Sequence, residues 1–242
     1  VGEGGARVVS PRMALRKNQV DLVRGDSSND EVTGSASGFP IGSSSRTIEG
    51  WVKTSNVSIA GFILQYGSSS YAGGASGVGI HGSGRLIFWT HDEDYFSTTS
   101  SLIDGIWHHI AVTWDGTEVK FYIDGVLDAT RPEGPDPVNT SATPTDFSIG
   151  GLNMPLAWRL TGSMDEVRLW NYARTESEIM STMNSSLSST SGLVASYGFN
   201  QGIAGGDNTS PAVNIAFDSS GNGNDGILNN FALSGTSSNW VE

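Results

Sequence analysis

The sequence contains no cysteine, so no disulfide holds the chain and its stability must come from a packed core. Charge is scarce as well: only 16% of residues are Asp, Glu, Lys or Arg, and 13 basic residues face 25 acidic ones. The net charge of −12 argues against a nucleic-acid partner, because a polyanion is repelled at every approach. No run of about 18 apolar residues occurs, which argues against membrane insertion through a helix. The start, Val1-Gly2-Glu3-Gly4-Gly5, lacks the basic and apolar stretches of a signal peptide and reads as the cut edge of a longer protein. Missing cysteine does not exclude secretion.

What is abundant is small and polar. Among 242 residues there are 32 Gly, 35 Ser and 18 Thr, a composition unlike that of a coiled coil or helical bundle. Seven Trp, nine Phe and six Tyr supply a core and argue against disorder. The combination points to a turn-rich β protein.

Periodicity agrees. Between Ile106 and Trp114 the even positions Ile110, Val112 and Trp114 are apolar, and in the next run Val119, Phe121 and Ile123 share one face. Asp115-Gly116 and Asp124-Gly125 are hairpin dipeptides that accept positive φ, so 106–128 reads as a three-stranded meander. Further strands are expected at 47–53, 61–66, 78–81, 85–90, 146–150, 162–170 and 193–199. One helix is expected, opened by the capping box Thr175-Glu176-Ser177-Glu178 and continued by Ile179, Met180, Met183 and Leu187. The 50-odd residues beyond 190 are too few for an ordinary core of their own. They are read as a C-terminal segment packing on the same domain, or as the start of a neighbouring one.

Several phrases resemble those of the laminin-G-like, concanavalin A-like jelly rolls of bacterial secreted proteins. They are Thr47-Ile48-Glu49-Gly50-Trp51-Val52-Lys53, Asp104-Gly105-Ile106-Trp107-His108-His109-Ile110-Ala111-Val112 with its Asp115-Gly116 turn, Tyr122-Ile123-Asp124-Gly125, and Gly162-Ser163-Met164-Asp165-Glu166-Val167-Arg168-Leu169-Trp170-Asn171. A phrase similar to another of the family's, Asp218-Ser219-Ser220-Gly221-Asn222-Gly223, lies near the end. The resemblance implies an all-β, two-sheet antiparallel jelly-roll sandwich with one short helix. It further implies a structural Ca²⁺ held by Asp165, with Asp26, Asn29 or Asp30 of the N-terminal turn as partners; such an ion takes six to eight hard oxygens. Asp218, Ser220, Asn222 and Gly223 also copy early positions of a calcium loop, but the twelfth falls on Asn229, so a tight Asn/Gly turn is expected there.

The strand at 85–91 gives the ligand expectation. Leu86 and Phe88 share one face, and Arg85, Trp89 and His91 the other. If Leu86 and Phe88 enter the core, then Arg85, Trp89 and His91 line an outer sheet face, with Asp92 and Tyr95 following at once; the converse would bury Trp89. A flat aromatic beside hydrogen-bonding groups suits a sugar ring. Trp158-Arg159 is a second stacking candidate. His108 and His109, neighbours on a strand, point to opposite faces and cannot share an ion, so both are read as structural. Neither the Glu-x-Asp-x-x-Glu phrase of laminarinase-like hydrolases nor the full set of an alginate-lyase-type jelly roll occurs. The expected function is therefore a non-catalytic module of a secreted or cell-surface protein that binds a polysaccharide or other glycan and sits beside other domains of the same longer chain. A structural or protein-adhesive module is the alternative, and a polysaccharide hydrolase or lyase ranks third.

Overall fold

The structure is a computed structural model that describes residues 19–22, 30–68, 70, 72–141, 146–151, 158–210, 212–234 and 240–241, the side chains of 19–22 and 240–241 excepted. Asp26 and Asn29 lie outside the described residues. Two eight-stranded antiparallel sheets face each other.

Sheet A is built on β3 (Arg46–Asn56) and β12 (Thr161–Trp170). On the β3 side follow β8 (Trp107–Trp114), β9 (Glu118–Ile123) and β10 (Val126–Pro132), the meander expected from the alternation. On the β12 side, β1 (Gln19–Leu22) pairs with residues 162–164 and β13 (Leu193–Tyr197) with residues 167–170. Beyond β1 lies β16 (Trp240–Val241). Sheet B runs β14 (Ile215–Ala216), β15 (Gly226–Asn229), β2 (Glu31–Ser35), β11 (Asp146–Ile149), β4 (Ala60–Gly67), β5 (Ala75–His81), β6 (Leu86–Trp89) and β7 (Asp94–Phe96).

Period-two alternation sets the core. Val52, Ile110, Val112, Phe121, Met164 and Leu169 of sheet A meet Leu64, Tyr66, Val78, Ile80, Leu86, Phe88 and Phe147 of sheet B. Except at a bulge in β4, their neighbours in sequence point outward, and each outer face is partly covered. Over sheet A lies α1 (Glu176–Thr182), whose Ile179 packs on Ala111 and Tyr122. Its start is the expected capping box: the Glu178 N–H donates to the Thr175 side chain, and the Thr175 N–H donates to Glu178 Oε2 at 2.7 Å. Residues 193–229 add strands to both sheets.

Two polar groups pin this frame. Arg46 is buried and donates from Nη1 to the Tyr66, Ser76 and Thr140 hydroxyls at 3.0, 3.0 and 2.6 Å, joining β3 to β4 and β5. His108 faces inward at the rim of sheet A, between Asp124 (Nδ1 to Oδ2, 3.0 Å) and Asp104 (Nε2 to Oδ2, 3.2 Å). His109 points to the other face, its ring tilted edge-to-face against Trp51 with centroids 5.4 Å apart.

Candidate functional site

The outer face of sheet B carries a second apolar cluster made of Ala60, Phe62, Ala75, Ile87 and Trp89. Its existence rests on a β-bulge. The register of β4 against β5 slips between Phe62 and Leu64, so Ile63 and Leu64 both enter the sandwich while Phe62 turns out. On β5 the outward positions are Ala75, Gly77 and Gly79, and their small size lets rings from the neighbouring strands close over the backbone. A Cβ on Gly77 would stand 3.0 Å from the Phe62 ring. Phe62 and Trp89 thus come within 5.7 Å across β5.

Trp158 covers this cluster. It arrives just ahead of β12 and lies parallel to Phe62, with centroids 6.1 Å apart and planes 6° apart, and 6.5 Å from Trp89. Trp158 itself is half-buried, so it presents part of an aromatic plane that is stiffened from below. Beside it Arg159 Nη1 reaches Glu31 Oε2 at 3.3 Å, which ties the segment to β2.

The β6–β7 turn closes one end of the face. Thr90 N–H donates to the Glu93 carbonyl at 3.2 Å, leaving His91 and Asp92 as a two-residue loop. Their φ values are 61° and 71°, as a type I′ turn demands and as glycine or asparagine more commonly supplies. Non-glycine residues held there cost of order 1–3 kcal/mol each, and such strain concentrates at functional positions. The turn sets the His91 ring edge-on to Trp89 at 5.9 Å and its Nδ1 3.2 Å from Asp92 Oδ2. On β7, desolvation pushes the Asp94 carboxyl up from its ordinary value, with the charge of His81 acting against it.

The structure brings together Trp89, His91, Asp92 and Trp158, keeps Arg159 beside Trp158 in its pair with Glu31, and separates Arg85 and Tyr95. Leu86 and Phe88 do enter the core, so Trp89 is on the outer face, but at 6% exposure it supports the platform and Trp158 forms its surface. Tyr95 corrects the expectation. It sits on the inner face against Phe88, accepting a hydrogen bond from the Gly134 N–H at 2.9 Å. Alternation is the reason: Asp94 and Phe96 take the outward positions of β7. Arg85, four residues before Trp89, stands about 13 Å along the strand. Phe62 escaped sequence reading because Phe62-Ile63-Leu64 shows no alternation that would reveal the bulge.

For a metal ion, the described residues offer Asp30 and Asp165, both buried; Asp165 Oδ1 accepts the Glu166 N–H at 2.8 Å. Among the described residues no three His, Asp or Glu side chains are grouped so as to hold a metal. Asp218 is consumed by its own turn, accepting from Ser196 N–H and Ser220 N–H at 2.9 Å each and from Asn224 N–H at 3.0 Å.

With this geometry in hand, comparison with known proteins is informative about the fold. The sequence model of the concanavalin A-like lectin/glucanases superfamily matches residues 26–180. A search of curated proteins found no match. Among solved structures, a candidate carbohydrate-binding protein from Bacteroides ovatus is similar at a TM-score of 0.63 and 19% identity; the match covers 88% of this chain and 58% of that one. The carbohydrate-binding module CBM40 of the Ruminococcus gnavus IT-sialidase gives 0.53 and 13%, covering 69% of this chain and 97% of the module. A heptameric SAP-like pentraxin from Limulus polyphemus gives 0.52 and 13%, covering 68% and 81%. Likeness at these identities concerns the fold alone.

Proposed function

Since the chain belongs to the concanavalin A-like lectin/glucanases superfamily, we propose that it is a non-catalytic module that binds a neutral polysaccharide through the outer face of sheet B. One observation carries this reading: the half-buried Trp158 plane, stacked on Phe62 and backed by Trp89, beside the strained His91-Asp92 turn. An indole plane takes the C–H face of a pyranose, and the imidazole and carboxylate at its edge take hydroxyls. The carboxylates Asp92 and Asp94 beside the platform, with Arg159 already neutralised by Glu31, favour a neutral sugar over an acidic one. The glycan-binding neighbours of the same fold support this assignment, and the proposal extends to a place in a secreted or cell-surface protein with further domains. The deciding experiment is affinity electrophoresis through gels cast with neutral plant and algal polysaccharides. We expect retardation in at least one gel and its loss in Trp158→Ala. No retardation in any gel, or full retardation of the variant, would overturn the reading in favour of a purely structural or protein-adhesive module, and release of reducing ends would favour an enzyme.

Calcium belongs to the same proposal. Asp30 and Asp165 would each give a carboxylate oxygen and Asp26 and Asn29 more, the remainder of six to eight coming from carbonyls and water. An ion bound only by the folded chain raises the melting temperature. Wild type should melt lower in EGTA than in Ca²⁺, and Asp165→Ala should melt alike in both. A wild-type melting temperature that ignores EGTA would remove calcium from the proposal.

A further inference from the structure

A solvent-open cleft of about 420 Å³, none of whose lining residues belongs to the Trp158 platform, lies where the segment after α1, the end of β13 and the chain leading out of β14 meet. Its polar lining comes from Glu166, Ser186, Ser188, Asn200 and Ser219, and its apolar wall from Phe217, which is 55% exposed. All of these except Glu166 lie beyond the family match, which ends at residue 180, so the cleft is built from this chain's own C-terminal segment.

The backbone is bent to make it. Glu166 sits in a bulge of β12 at φ 51°, and Phe199 has φ 47°, a value at which a bulky residue is an outlier. The bulge sends the Glu166 carboxylate to the cleft, where Oε1 accepts from the Ser186 hydroxyl at 2.6 Å and Oε2 meets Arg168 Nη2 at 2.6 Å. Phe199 stays buried beside Tyr197 while Asn200 turns out to solvent. The floor is Gly198, where a Cβ would come within 3.2 Å of Glu166 Oε1 and 2.8 Å of Asn200 Nδ2.

We propose that this cleft is a second binding site, for a single neutral sugar unit or a like polyol, separate from the sheet B platform and not dependent on it. Size fits, because small-molecule pockets begin near 300 Å³. Charge discriminates further. Arg168 Nη1 and Nη2 already donate to Glu49, Glu166 and the carbonyls of Thr182 and Ser185, so no guanidinium is left over for an anionic sugar. Glu166 is in turn neutralised by Arg168, so a cation gains little. What remains is an exposed ring for C–H stacking and a set of hydroxyl, carboxamide and carboxylate groups for ligand hydroxyls. Two separate sites on one chain would raise avidity for a polysaccharide without either being tight.

The test is an amide-resolved NMR titration of the full chain with D-glucose, D-galactose, D-mannose and L-arabinose as separate probes. With at least one sugar, the Ser188, Gly198 and Ser219 amides should shift saturably. Phe217→Ala, which removes an exposed ring, should weaken the response tenfold or more, as should Gly198→Ala, while Trp158→Ala leaves it unchanged. No saturable shift at these amides with any sugar would overturn the proposal, as would an undiminished response in both cleft variants. Cleft shifts without retardation in any polysaccharide gel would sink the platform reading and keep this one; retardation without cleft shifts would do the reverse.

Discussion

Glu49 has no exposed surface, yet it is the carboxylate that two buried guanidiniums share. Arg174 Nη1 donates to both its oxygens at 2.8 and 2.9 Å, Arg168 Nη1 lies 3.4 Å away, and Trp170 Nε1 donates at 3.0 Å. The Arg174 guanidinium also stacks over the Trp170 ring, 4.1 Å from its centroid. Breaking such a pair strands its partners in a low dielectric, which costs about 3–5 kcal/mol. Glu49→Gln keeps the shape and removes the charge, so urea denaturation should show a loss in that range; a loss below about 1 kcal/mol would mean that the hydrogen bonds alone hold the cluster. His108 makes a pH-dependent counterpart. Burial alone would lower its pKa, but hydrogen bonds and charge from Asp124 and Asp104 outweigh that and hold it above the ordinary histidine value. With the folded value raised, the stabilisation is complete below the unfolded pKa of about 6.5 and fades as pH rises through the folded value. The stability gap between wild type and His108→Gln should therefore shrink between pH 6 and 9, and a constant gap would refute the ion pairing. The sequence marked both histidines as structural and placed them on opposite faces. It gave no sign that Glu49, inside a strand phrase, was an ionic hub, because Arg168 and Arg174 are over a hundred residues away in sequence.

The elements divide along the same line. Alternation was readable wherever one face is polar, which is why the meander stands where expected; the helix starts at its expected capping box but stops at Thr182, short of the expected Met183 and Leu187. Other features were not readable, the strands β2 and β15 among them. The β4 bulge sits in a wholly apolar triplet, and β7 is three residues long, so what the sequence presents as an acidic loop is the second arm of a hairpin. That hairpin carries the strain at His91 and Asp92. Replacing the pair by Asn-Gly, the residues a type I′ turn favours, should stabilise the fold by about 1 kcal/mol or more, read as a higher urea midpoint. If the turn exists to hold imidazole and carboxylate beside the platform, the same variant should lose retardation in the polysaccharide gel. Greater stability with unchanged retardation would show that the strain serves no ligand.

At the scale of the molecule, the family match ends near α1 while the sandwich does not. All five residues of β13 are buried, and they pair with β12 along the half that β1 leaves open. β15 pairs with β2 through Ile227, Leu228 and Asn229, and Phe231 reaches the main core. Tyr197 spans the two regions: it contributes to the core, donates its hydroxyl to the Asn224 carbonyl at 2.6 Å, and has its pKa driven far up by burial. A chain stopped at residue 190 would expose the edge of β12 and the inner faces of both sheets at that end. At roughly 25 cal/mol per Å² of apolar surface, uncovering a few large side chains costs several kcal/mol, comparable to the whole stability of a domain. We therefore expect residues 1–190 alone to lack a cooperative thermal transition and to bind a hydrophobic dye, and the full chain to melt in one step. A sharp transition from the truncated chain would make the last 50 residues a separate appendage. It would also dissolve the cleft at Glu166, since Asn200, Phe217 and Ser219, three of the six side chains that define it, would then belong to another unit.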